Sequence, residues 1–224
     1  MDWWVTSALE RGPIFLGSWV FWVIFSICLH ELAHGYAAIW QGDDTPRVSG
    51  HMTMNPLVHM GGLSLLVFAL LGIAWGAMPV NPSNFRSRYG DAAVAAAGPL
   101  TNGLLMVLCV VVAVAWQLWG GSIPDPVNSN VLVFLEMGAW LNAVLMLFNL
   151  LPVPPLDGGR ILGDFVPAFA RLWQTEKGAI AGILIFALLF FYSGNVIFGV
   201  ARRIVGEVER SVMNSLRSPT SAVP

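Results

Sequence analysis

Five residues, His30-Glu31-Leu32-Ala33-His34, lie within a stretch from Gly12 to Gly42 in which Glu31 is the only charged residue. Such a stretch reads as a helix that crosses a bilayer, for which roughly 20 apolar residues suffice. Ionisable groups at that depth are costly; they face the inside of a bundle and mark function. Helix positions four apart share a face, so His30 and His34 can offer two imidazoles to one cation. This spacing is a zinc-binding signature in which the Glu between the ligands serves as base. The chain must therefore fold so that other apolar helices enclose this polar face, and one of them must bring a third ligand.

The rest of the chain fits that demand. It is 56% hydrophobic and 11% charged, with a mean hydropathy of +0.70, whereas a soluble domain carries about 25% charged residues. We expect a single membrane-embedded domain over 1–224, with a core at 12–200, an amphipathic tail at 201–217 and a disordered end at 218–224. A net charge of −2 and the lack of a basic run exclude a nucleic-acid partner from the expectation. Met1-Asp2-Trp3-Trp4 has no positive start and no small-residue cleavage site of the signal-peptide kind. Cys28 and Cys109 both fall in apolar segments and read as small buried hydrophobes, not a disulfide. Several of the ten Trp residues, such as Trp19, Trp40, Trp75, Trp119 and Trp173, stand near segment ends, as in an interfacial belt.

The expected fold is an all-α, multi-pass helical bundle. Spans are expected at 14–40, 91–119, 129–151 and 179–200, with Asp91 as the N-cap of the second. The stretch 63–80 is broken by Gly72, Gly76 and Pro79 and is marginal. In the tail, Ile204, Val208, Val212 and Leu216 recur at helical spacing among Arg202, Arg203, Glu207, Glu209 and Arg210. That pattern fits an amphipathic helix, on the membrane surface or covered by solvent or another chain.

At 1.5 Å per residue, His34 lies roughly 10 Å inside the end of the first span. Acidic candidates for a third ligand are Glu136, Asp157 and Asp164. Glu136 is near the wrong end of its span, and Asp164 is further from the span's end than Asp157. Asp157 follows the third span in a turn, Asn149-Leu-Leu-Pro-Val-Pro-Pro-Leu-Asp157-Gly158-Gly159, and is the best placed. If Asp157 meets the histidines, 63–80 cannot cross the membrane once; it is re-entrant or shallow. The motif-bearing side carries Arg47, Arg86, Arg88, Arg160, Arg171 and Lys177, against Arg11 opposite. The positive-inside rule then puts that side in the cytoplasm, in a cell (inner) membrane protein. The basic tail, Arg202, Arg203, Arg210 and Arg217, falls on the other side if 179–200 crosses once.

His30-Glu31-Leu-Ala-His34, Gly98-Pro99 and Asn149…Pro152…Leu156-Asp157-Gly158 together resemble the site-2 protease family of intramembrane zinc metalloproteases. Gly50-His-Met-Thr-Met-Asn55-Pro56-Leu-Val-His59 and Pro79-Val-Asn81-Pro82-Ser-Asn-Phe85-Arg86 resemble a compact subgroup without PDZ or CBS domains. The resemblance implies one Zn²⁺ per chain held by His30, His34 and Asp157, with Glu31 as catalytic base. It implies hydrolysis of peptide bonds in or near the transmembrane segments of a membrane-spanning protein substrate. It also favours Asn149 as a hydrogen-bond donor to the substrate or the developing oxyanion, over a helix-end amide bonding its own backbone. Asn102, one turn from Gly98, reads as an orienter of a ligand such as Asp157 or as a plain interhelical hydrogen bond. His51 and His59 read as satisfied interface histidines, and Glu136 as a carboxylate near headgroups or paired with a neighbour. A metal transporter would string polar groups through the membrane; here they cluster at one end. A binding module with a degenerate site would not need all of His30, Glu31, His34 and Asp157.

Overall fold

A computed structural model of the chain describes residues 3–120, 122–192 and 194–217. The expected disorder at 218–224 lies outside the described residues. Among the described residues all regular structure is helical.

Three helices are long and apolar enough to cross a membrane: α2 (Pro13–Trp40), α5 (Gly90–Trp119) and α6 (Val127–Asn149). Glycine starts α2, with Gly12 at φ 118° and Pro13 at the first helical position, a site where proline costs no hydrogen bond. The three helices close on a core of Trp22, Val23, Ile27, Cys109, Val110, Val114, Met137 and Leu141. Gly138 of α6 lets the Trp22 indole lie on the backbone, where a Cβ would collide with the ring. Trp22 Nε1 donates to the Phe134 carbonyl at 2.8 Å. Cys28 and Cys109 are both buried and free, as expected. Trp40 and Trp119, at the ends of α2 and α5, are 77% and 73% exposed, which suits the membrane–water boundary.

The stretch after α2 folds back on itself, as a re-entrant or shallow segment would, with boundaries that differ from 63–80. A short turn of helix, α3 (Thr45–Val48), leads to α4 (Pro56–Leu71), capped by the Asn55 side chain accepting from Leu57 N at 3.0 Å. Gly72 at φ 74° ends α4, and residues 73–81 return without regular secondary structure. Along the return, Ser64 Oγ donates to Trp75 O at 2.7 Å and accepts from Trp75 N at 2.9 Å. Ala77 N donates to His59 O at 2.9 Å, and Asn81 N to Asp43 Oδ2 at 2.7 Å. Both ends of the loop therefore sit at the same end of α2. The far tip is held by α1 (Trp4–Glu10), which the sequence reading did not anticipate. Trp3 and Trp4 donate their indole N–H to the carbonyls of Leu70 and Ala69, each at 3.1 Å.

Two further boundaries are corrected. Asp91 does not cap α5; it lies in the first turn and binds Arg160 at 2.6 Å. Asp164 Oδ2 instead accepts from Ala92 N at 2.9 Å, serving an N-terminal donor that the helix itself leaves open. The expected span at 179–200 is divided between α9 (Glu176–Tyr192) and α10 (Gly194–Arg217). α7 (Asp157–Phe165) and α8 (Pro167–Trp173) precede them, and α8 and α9 form a bent pair at 91° that can serve as a fourth span. The amphipathic helix thus begins before 201, and its apolar face packs on α5 and α6. Ala201 is fully buried, and Val205, Val208, Val212 and Met213 lie against the core.

Asp43 fastens the loop to the bundle. It is fully buried and accepts from Thr45 N, Thr45 Oγ1, Asn81 N and Asn84 Nδ2. Burial alone would raise its pKa, but these donors outweigh it and hold the carboxyl below the ordinary value. A depressed carboxylate contributes stability that is present above its unfolded pKa, about 4, and lost as pH falls through the folded value. Asp43→Asn is therefore expected to unfold at lower temperature than wild type at pH 7, by about 1–3 kcal/mol. The gap should close as pH falls below about 4, read by thermal unfolding in detergent.

Candidate metal centre

His30 and His34 project from one face of α2, and Asp157 opens α7. Their Nε2 atoms lie 3.0 Å apart. Asp157 Oδ2 is 3.1 Å from His30 Nε2, and Oδ1 is 3.4 Å from His34 Nε2. All three side chains are buried. Asp157 reaches this place because Gly158 and Gly159 let α7 start directly beneath the turn after α6. A Cβ on Gly158 would collide with the Leu150 carbonyl, and one on Gly159 would lie 2.8 Å from Pro154 N. Arg160 then ties α7 to α5 through Asp91 at 2.6 Å and stands 3.8 Å from Asp157 Oδ1.

The donor pattern fits a cation. His34 Nδ1 lies 2.7 Å from the Val94 carbonyl, which only accepts, so Nδ1 carries a proton and, in the neutral imidazole, Nε2 bears a lone pair. His30 Nδ1 lies 2.6 Å from Asn102 Oδ1 in the same relation. Two bare nitrogens at hydrogen-bond distance cannot bond each other. Asp157 Oδ2 is buried and has no hydrogen-bond partner. Three electron-pair donors, within 4.8 Å of one another, thus converge on one point. Two imidazoles and one carboxylate leave a fourth tetrahedral position open, the ligand set of a catalytic rather than a structural zinc site.

Two glycines set the walls. A Cβ on Gly98 of α5 would lie 2.5 Å from His30 Nε2 and 2.6 Å from His34 Nε2. A Cβ on Gly76, in the return segment, would lie 2.6 Å from Glu31 Oε1. Glu31 is 7% exposed and lies under that strand. The sequence reading treated Gly76 only as a helix breaker; no local signal tied it to Glu31.

Other candidates are placed elsewhere. Asn149 Nδ2 donates to Leu145 O of its own helix at 3.0 Å. Asp164 is occupied at the start of α5. Glu136 stands with Glu209 around a small cavity between α6 and α10. His59 Nε2 lies 2.6 Å from the Thr53 carbonyl, and His51 Nδ1 lies 3.0 Å from that of Ser49. Asn102 serves His30, not Asp157.

The sequence model of peptidase family M50 matches residues 121–193, which include Asn149 and Asp157. A Bacillus subtilis protein named "Putative zinc metalloprotease YwhC" is 35% identical over 170 residues, 75% of this chain and 77% of that protein. The chain belongs to peptidase family M50, the site-2 protease family. Two mycobacterial proteins named "Putative zinc metalloprotease Rip2" are also similar. The Mycobacterium tuberculosis protein is 31% identical over 175 residues, 75% of this chain. The Mycolicibacterium smegmatis protein is 28% identical over 164 residues, 69% of this chain. The match spans 62% and 61% of the length of these two relatives, respectively. No solved structure matches the chain. Family membership and the apolar helices together make this M50 chain a membrane protein of a metalloprotease family.

The Gly98 contact yields a test. Gly98→Ala is expected to lose most of the bound zinc, because the new methyl group meets both ligand nitrogens. Gly103→Ala on the same helix should keep it, since its Cβ would meet only the flexible Met146 thioether, at 3.0 Å. Metal analysis of the two purified proteins checks this.

Proposed function

We propose that this M50 chain is an intramembrane zinc endopeptidase that cleaves membrane-spanning proteins in or near their transmembrane segments. The observation that carries the reading is the convergence, inside an apolar bundle, of two imidazole nitrogens and a carboxylate whose Oδ2 has no hydrogen-bond partner. His30, His34 and Asp157 would hold one zinc ion per chain. When bound, zinc supplies a Lewis acid that polarises a carbonyl and acidifies water. Glu31, buried beside His30, accepts the proton of the attacking water and returns it to the leaving amine. The apolar walls exclude bulk water, which strengthens every charge interaction inside.

The return segment supports a mode of substrate capture. Trp75, Ala77 and Asn81 spend their N–H groups on the loop and on Asp43. Among the described residues, the N–H groups of Gly76, Met78 and Val80 have no hydrogen-bond partner. A free strand edge next to Glu31 suits an unwound substrate segment added as a further strand. A helical substrate has its carbonyls closed by its own hydrogen bonds and must unwind first. Asn149, at the end of α6, would serve the oxyanion by turning its amide from Leu145 to the substrate. The basic residues on the motif-bearing side favour a site opening to the cytoplasm of a cell membrane protein.

The test is zinc content together with cleavage of a membrane substrate, in detergent or proteoliposomes. Glu31→Gln should retain zinc and lose cleavage by about 10²–10⁴-fold; zinc-loaded Glu31→Gln that cleaves normally overturns the mechanism. Asp157→Ala should lose zinc, and undiminished zinc there removes Asp157 from the ligand set. Asn149→Ala should keep zinc and lower kcat by about 10²-fold.

A further inference from the structure

Behind His30 lies a chain of polar groups that the proposed reaction does not use. His30 Nδ1 is 2.6 Å from Asn102 Oδ1. Asn102 Nδ2 donates to Asn142 Oδ1 at 3.0 Å. Asn142 Nδ2 donates to the Gly138 carbonyl at 2.9 Å. Both asparagines are fully buried, on facing sides of α5 and α6. Two buried amides within apolar spans are costly unless every partner is in place.

The chain has a direction, set at its far end. A backbone carbonyl only accepts, so the Asn142 group facing Gly138 must be the NH₂. Its oxygen then faces Asn102, which must answer with its own NH₂. The Asn102 oxygen is left for His30, and an oxygen can only accept, so His30 carries its proton on Nδ1. Nε2 is thereby bare and aimed at Asp157 and His34. Reversed polarity would put the proton on Nε2 and block a cation. An amide pair that merely held α5 to α6 would work in either direction; only one direction serves the metal. His34 has no such side-chain support, since its Nδ1 is served directly by the Val94 carbonyl.

We propose that Asn102 and Asn142 are positioning residues, a relay that transmits the polarity of the Gly138 carbonyl to His30 and fixes its metal-binding tautomer. The inference rests on His30 being a zinc ligand. Loss of such an outer partner typically costs 10–100-fold in metal affinity.

The experiment measures zinc affinity by chelator competition on purified, folded protein in detergent, and the His30 tautomer by ¹⁵N NMR after zinc is stripped. Asn102→Leu should weaken zinc binding about 10–100-fold, and Asn142→Leu by a smaller factor. The double variant should be no weaker than Asn102→Leu alone, because Asn142 acts only through Asn102. Asn102→Asp should bind zinc more tightly than Asn102→Leu, since a carboxylate still accepts from Nδ1–H. Stripped wild type should show the Nδ1–H tautomer, and Asn142→Leu a mixture of tautomers. If Asn102→Leu does not fold, Asn142→Leu and Asn102→Asp carry the test. Wild-type zinc affinity and tautomer in Asn142→Leu overturn the relay, as does Asn102→Asp binding no better than Asn102→Leu. If wild type binds no zinc at His30, the metal reading fails, and the tautomer in stripped protein still decides the relay.

Discussion

The close approach of α5 to α2 at Gly98 is the constraint on which the structure depends. The two imidazoles occupy the space that any side chain at that position would fill. From this contact follow the placement of Val94 and Asn102, which serve His34 and His30. The start of α5 follows too, where Asp91 and the Ala92 N–H receive Arg160 and Asp164 of α7, and with them Asp157. A small residue at a helix crossing is ordinary in membranes, because it lets backbones pack without a hydrophobic driving force. Here the same smallness makes room for chemistry.

A second constraint acts on the other side of the ligands. A non-helical backbone at membrane depth is tolerated only where protein or water covers it. The return strand meets that condition by lying on α4 and on Glu31, with Ser64, His59 and Asp43 closing one of its edges. On the other edge, the N–H groups of Gly76, Met78 and Val80 have no partner among the described residues, and it is this edge that we propose for the substrate backbone. Structural hydrogen bonding and proposed recognition thus divide one strand by the alternation of its N–H groups.

Much of the site was legible in the residues. His30 and His34 share a helix face by spacing alone, and Asp157 was singled out by the side on which its span ends. That requirement makes the 63–80 stretch re-entrant or shallow. Boundaries were harder. Periodicity and apolarity do not distinguish 179–200 as one helix from the end of α9 and the start of α10, since both halves are equally apolar there. Asp91 looked like a cap by residue type, yet a guanidinium from α7 outcompeted the backbone for its carboxylate. Asn142 drew no attention because one amide in a long apolar run has no local signature; its meaning comes from Asn102 across the helix pair.

By itself the sequence determined the class of molecule and the chemistry. Apolar length dictates spans, and the four-residue spacing of two histidines dictates a shared face; both are properties of a single helix. Tertiary structure alone decided which nitrogen of each histidine is bare and what lies over Glu31. Those depend on partners far apart in sequence, Val94 with His34, Asn102 with His30 and Gly76 with Glu31. No local pattern encodes a hydrogen bond's direction across a helix interface, because the direction is inherited from the last acceptor in the chain. In this protein that acceptor is the Gly138 carbonyl on a third helix.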